Sequence, residues 1–186
     1  MTEAHPLVID SRRLPRQPGA SQRLEVHVAP DDDLGNEVAT IDTEPVAVDL
    51  LLESVLDGIL VTGSADLHLT GECVRCLDPL DQALPVSFRQ FFTYPGAEVE
   101  TDSEEDTDIV AMSGPLLDLR PAFRDATVLA LPLSPTCRPD CPGLCPHCGV
   151  ALADNPDHRH ERSDPRLAAL EQLREKLTHS AESEGD

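Results

Sequence analysis

At 186 residues and a formal charge of −21, the chain has room for one substantial core, or one core with a small metal-held appendix, and its acidity opposes nonspecific binding to a phosphate backbone. Aromatic residues make up only 3% and Trp is absent, so burial falls to Leu, Val, Ile and Ala, while 17 prolines and 10 glycines raise the value of a cross-link that holds irregular backbone. An acidic field attracts cationic partners, and simple solubility or salt adaptation accounts for the same composition.

The opening residues 1–22 carry Arg12, Arg13 and Arg16 among Pro15, Pro18 and Gly19 and show neither alternation nor helical spacing, which predicts a flexible arm. They contain no secretory signal, and no 18-residue apolar stretch follows anywhere, so the sequence is read as cytoplasmic, with reduced thiols and no membrane association. From Arg23, Leu24, Val26 and Val28 alternate with Glu25 and His27 as in a half-buried strand. The run 45–76 then predicts an antiparallel β-meander, with Val46, Val48, Leu50 and Leu52 at period two, turns near Asp57-Gly58 and Gly63-Ser64, and a strand through Leu67 and Leu69 that ends at Cys73 and Cys76. A helical reading of 48–57 also fits that stretch. Val86, Phe88 and Gln90 mark a further strand.

Residues 97–108 hold seven acids and no base and predict a mobile, solvated loop. A helix over 118–131 follows, capped by Asp118, with Pro121 in its first turn, Pro132 as its stop, and Phe123, Val128, Leu129 and Leu131 as its buried face. Region 135–178 comprises a Cys-rich loop and a C-terminal helix with Leu167, Leu170, Leu173 and Leu177 at helical spacing; 179–186 reads as a disordered tail. The fold class is therefore α+β: a β-rich region over 23–134, including its acidic loop and helix, then the loop and C-terminal helix.

The six cysteines carry the chemistry. Cys73 and Cys76 form one Cys-x-x-Cys knuckle; Cys137, Cys141, Cys145 and Cys148 lie in CRPDCPGLCPHCG, where Gly149 relieves the tight turn after the last thiol. Disulfides require an oxidising compartment, and a thioredoxin-like motif requires a helix start beside a βαβ unit; an iron–sulfur cluster suits four thiolates as well as zinc does. Tetrahedral zinc takes four ligands, and His158 and His160 in DHRH raise the ligand set from six to eight, enough for two closed structural Zn2+ sites where the cysteines alone complete one; His147 reads as solvent-facing. The expected pairing is Cys73 and Cys76 with Cys137 and Cys141. The alternative joins the two Cys-x-x-Cys knuckles, Cys73 and Cys76 with Cys145 and Cys148, as in zinc ribbons.

TGECVRCLDPL, the acidic loop, LALPLSPTC, CRPDCPGLCPHCG and DPRLAALEQL together resemble the YceD family of bacterial proteins. The resemblance implies a ribosome-biogenesis factor needed for accumulation of large-subunit (23S) rRNA, with no catalytic activity. It also implies that His158 and His160 replace a second Cys-x-Cys pair. Its partner is then a basic large-subunit ribosomal protein or a pre-ribosomal particle. An rRNA-processing enzyme and a direct rRNA binder using Arg12, Arg13 and Arg16 are the alternatives; no motif supplies the open metal position or acid–base pair that the enzyme needs.

Overall fold

A computed structural model describes residues 5–31, 33–97, 109–160 and 170. The chain divides into two compact units, residues 1–141 and 142–186, and each is described by itself. The division falls after Cys141, so Cys137 and Cys141 go with the β-rich unit.

In the first unit the strands are β1 (Val8–Asp10), β2 (Ser21–Val28), β3 (Ala39–Ile41), β4 (Val46–Ser54), β5 (Gly58–Glu72), β6 (Pro79–Thr93), β7 (Ile109–Ala111) and β8 (Leu116–Asp118), followed by helix α1 (Arg120–Ala130). The main sheet runs β2-β4-β5-β6-β7, with β3 joined to the far part of β5; β1 and β8 form a separate antiparallel pair. β4, β5 and β6 follow one another antiparallel, and β7 joins β6 in parallel.

β5 is the spine of this unit. Val61, Leu67 and Leu69 point into the core, while Ser64, Asp66 and His68 between them are exposed, the period of two that one buried face imposes. The turn expected at Gly63-Ser64 is absent, because Gly63 pairs with Phe88 within the continuous β5–β6 ladder. A Cβ on Gly63 would stand 2.2 Å from the Phe88 ring, so glycine here makes room for an aromatic residue across the strand rather than breaking the chain. The helical alternative for 48–57 is likewise overturned: β4 buries Val48, Leu50, Leu52 and Ser54 at period two.

The expected arm over 1–22 requires the same kind of correction. Among its described residues Leu7, Ile9 and Leu14 are buried in the core, and β1 pairs Ile9 with Leu117. A 3-10 turn (Ser11–Arg13) follows, capped by the Asp10 side chain, and Ser11 donates from both N–H and Oγ to the Pro115 carbonyl. Arg12 pairs with Asp10, and the Arg16 guanidinium lies 5.0 Å from the centre of the Tyr94 ring.

α1 starts two residues later than expected and buries a different face: its N-cap is Leu119, which makes no side-chain cap bond, while Asp118 ends β8. Asp118 accepts from the Arg120 N–H, Pro121 sits in the first turn, and the helix ends at Ala130 before Pro132. The buried residues are Phe123 and Thr127, one turn apart; Val128 is 49% and Leu129 85% exposed. Phe123 meets Phe88 edge to face with ring centroids 6.2 Å apart, and the Thr127 hydroxyl donates to the Phe123 carbonyl at 2.8 Å, which satisfies a polar group that would otherwise oppose burial. Residues 98–108 of the acidic loop 97–108, the C-terminal helix apart from Leu170, and the tail 179–186 lie outside the described residues. No helix among the described residues is long and apolar enough to cross a membrane.

Candidate metal centres

Both Cys-x-x-Cys segments fold into the same knuckle. In the first, the Cys73 N–H donates to the Asp78 carbonyl at 2.9 Å and the Leu77 N–H to the Cys73 carbonyl at 2.8 Å; in the second, the Cys145 N–H donates to Val150 at 2.9 Å and the Gly149 N–H to Cys145 at 2.8 Å. The residue after the second cysteine adopts the left-handed conformation in each, Gly149 at φ 73° and Leu77 at φ 62°. Glycine takes that conformation without a Cβ penalty, whereas leucine bears a strain of about 1 kcal/mol. Leu77 is largely exposed, so little packing offsets the strain. Leu77→Gly is accordingly expected to stabilise the first unit by up to about 1 kcal/mol, offset in part by the greater freedom of glycine when unfolded, and chemical denaturation of the two proteins measures the difference.

The two knuckles belong to different centres. Within the first unit, the sulfurs of Cys73, Cys76, Cys137 and Cys141 all lie within 4.8 Å of one another. Cys73 Sγ is 3.9 Å from Cys141 Sγ, and Cys76 Sγ is 3.7 Å from Cys137 Sγ. A disulfide would bring sulfurs to about 2.0 Å. A tetrahedron with zinc–sulfur bonds of about 2.3 Å has edges of about 3.8 Å, so this set fits zinc closely. The Cys137 N–H, then those of Cys76 and Arg75, direct hydrogen bonds at the Cys73 sulfur and hold its pKa down to about 6, whereas burial pushes the Cys137 thiol up. The Val74 N–H donates to the Pro135 carbonyl, and the Arg75 guanidinium donates to the Cys141 and Pro139 carbonyls. These bonds fix residues 135–141 against the β5–β6 turn, and Cys73 and Cys141 are both buried.

The second unit supplies its own set. Leu144 and Ala151 form a β-bridge around the knuckle, and the Leu152 N–H donates to the Gly143 carbonyl. A turn closed by the His158 N–H on the Asn155 carbonyl then returns the chain, placing His158 Nε2 3.2 Å and His160 Nε2 3.3 Å from Cys148 Sγ. With Cys145 Sγ these donors also lie within 4.8 Å of one another. Two sulfurs and two nitrogens are a zinc set in chemistry. The two Nε2 atoms are 2.9 Å apart, closer than the edge of about 3.3 Å that zinc–nitrogen bonds of about 2.0 Å imply. His147 is exposed, as expected from the sequence, and its ring lies 5.3 Å from that of His160. The structure thus brings together all eight residues singled out from the sequence, in the pairing of Cys73 and Cys76 with Cys137 and Cys141 and not as a ribbon of the two knuckles. The signal missed in the sequence was Leu77, whose place after the second cysteine is the place of Gly149.

Residues 61–174 match the family described as large ribosomal RNA subunit accumulation protein YceD. The chain belongs to this family. It is 43% identical over 171 residues to an uncharacterized protein of Mycobacterium tuberculosis, an alignment covering 91% of this chain and 82% of that protein, and the same figures hold for an uncharacterized protein of Mycobacterium bovis. An uncharacterized protein of Mycobacterium leprae is 36% identical over 182 residues, covering 97% and 83% of the two chains. No solved structure matches. The family description links this YceD chain to the large ribosomal subunit, and its two donor sets are each able to hold a metal ion.

Proposed function

We propose that this YceD protein is a non-enzymatic cytoplasmic factor that supports accumulation of 23S rRNA as a zinc-stabilised acidic adaptor or chaperone for a cationic large-subunit ribosomal protein, free or within a pre-ribosomal particle. The observation that carries the reading is the charge of −21 in a family tied to large-subunit RNA. Such a field repels a phosphate backbone and attracts a basic ribosomal protein, shielding it from indiscriminate RNA contact until it is delivered. Four protein donors would fill the shell of each zinc ion, leaving no position for an activated water, which supports a structural role for the ions. Of the three arm cations that favoured direct RNA contact, Arg12, Arg13 and Arg16, Arg12 already engages Asp10 and Arg16 lies over Tyr94.

Affinity capture of the tagged protein from cell extract, with and without nuclease, tests the reading. A large-subunit ribosomal protein is expected to remain bound after nuclease treatment and to dissociate as salt is raised. Loss of every ribosomal component on nuclease treatment would make RNA the tether and overturn the adaptor role.

A further inference from the structure

The two centres differ in how they are held. The Cys73–Cys76–Cys137–Cys141 set ties residues more than sixty positions apart, has one exposed member, and is wrapped by hydrogen bonds from Val74 and Arg75. The second set closes only a span of fifteen positions, from Cys145 to His160, within one segment, and both Cys148 and His160 are exposed. Its two Nε2 atoms are 2.9 Å apart, inside the tetrahedral edge of about 3.3 Å, whereas the Cys73–Cys141 and Cys76–Cys137 sulfur pairs of the first set, at 3.9 and 3.7 Å, match the edge of about 3.8 Å. A third imidazole, His147, lies inside the same knuckle with its ring against that of His160. Associative ligand exchange needs an accessible metal face and an entering donor; the second set has two exposed ligands and the His147 imidazole, whereas the first has one exposed ligand and, beside Cys76, the Asp78 carboxylate, a harder donor that suits zinc less than imidazole does.

We propose that the Cys145–Cys148–His158–His160 centre is an exchangeable zinc site, with His147 as the entering ligand when one imidazole leaves, while the four-cysteine centre retains its ion. The leaving nitrogen takes back its electron pair, the entering nitrogen supplies one, and the zinc stays divalent throughout. A competing external ligand then completes the transfer, and the released thiolates take protons from solvent. The inference rests on the zinc reading of both centres and is independent of the partner.

The test uses the full chain loaded with two equivalents of Zn2+ and challenged with the colorimetric chelator 4-(2-pyridylazo)resorcinol. One equivalent is expected to leave at least tenfold faster than the other. Cys148→Ser should abolish the fast phase and Cys137→Ser the slow one. His147→Ala should keep both equivalents bound while slowing the fast phase severalfold. In Co2+-loaded unmutated protein, the absorption of the mixed sulfur–nitrogen centre should disappear before that of the all-sulfur centre, a readout that does not depend on any variant folding. Equal release rates, or a fast phase that survives Cys148→Ser, would overturn the assignment. An unchanged fast phase in His147→Ala would overturn the entering-ligand role. A chain that binds no zinc would overturn the metal reading beneath the proposal, leaving the adaptor reading to the capture experiment.

Discussion

Cys73→Ala is expected to lower bound zinc from about two equivalents to about one, and to abolish the stabilisation that zinc gives the β-rich unit. Cys73 is wholly buried at the end of β5, and its sulfur is the ligand drawn toward the thiolate by three backbone N–H groups. Three remaining thiolates hold zinc far less tightly than four, and removing even an outer-shell partner of a metal ligand costs 10- to 100-fold in affinity. With free zinc at about a thousand times the dissociation constant, binding stabilises the folded state by about 4 kcal/mol, and losing a direct ligand, with an affinity loss of about ten-thousandfold, leaves the site essentially empty and removes nearly all of it. Denaturation of the variant in excess zinc should therefore approach that of the unmutated protein in chelator. Cys148→Ser lowers the stoichiometry equally and should leave the stability of the β-rich unit unchanged, because its ion lies in the other unit.

Gly58→Ala is expected to destabilise the protein by about 3 kcal/mol, at the upper end of what overpacking costs. A Cβ at Gly58 would sit 2.1 Å from the backbone oxygen of Phe92 and 2.8 Å from the Phe91 ring. A side chain could rotate aside; a carbonyl held in the β5–β6 ladder cannot without disturbing the pairing of Gly58 with Thr93. The thermal midpoint should fall by roughly 6–12 °C. Gly114→Ala is the control, since a Cβ there meets nothing within 4 Å and the substitution should leave stability unchanged or slightly higher.

Gly58 and Gly63 also show where the sequence is readable. Gly58 beside Asp57 reads as a turn signal, and the turn is there between β4 and β5. Gly63 gives the same local signal, yet its role is set by Phe88, twenty-five positions later in sequence, which no local pattern reveals. The N-terminal segment was misread for a related reason: Leu7, Ile9 and Leu14 stand singly among prolines and arginines, and their burial depends on β8, more than a hundred residues away. On α1, hydrophobicity alone favoured Leu129 over Thr127. The helix instead buries Thr127 beside Phe123, whose ring meets Phe88, and the threonine hydroxyl is satisfied by the Phe123 carbonyl of the preceding turn. The metal donors were legible because their chemistry is carried by residue type and short spacing, and local hydrogen bonds build each knuckle. Assigning the knuckles to separate centres required the chain path that brings 137–141 to the end of β5.

Metal analysis of the purified protein combined with zinc-edge X-ray absorption tests the central claim most directly. Two closed centres, one of four sulfurs and one of two sulfurs and two nitrogens, predict about two zinc ions per chain and an average shell of three sulfurs at about 2.3 Å and one nitrogen at about 2.0 Å. Iron absorbance, or a metal-free chain with its six cysteines oxidised to disulfides, would contradict it.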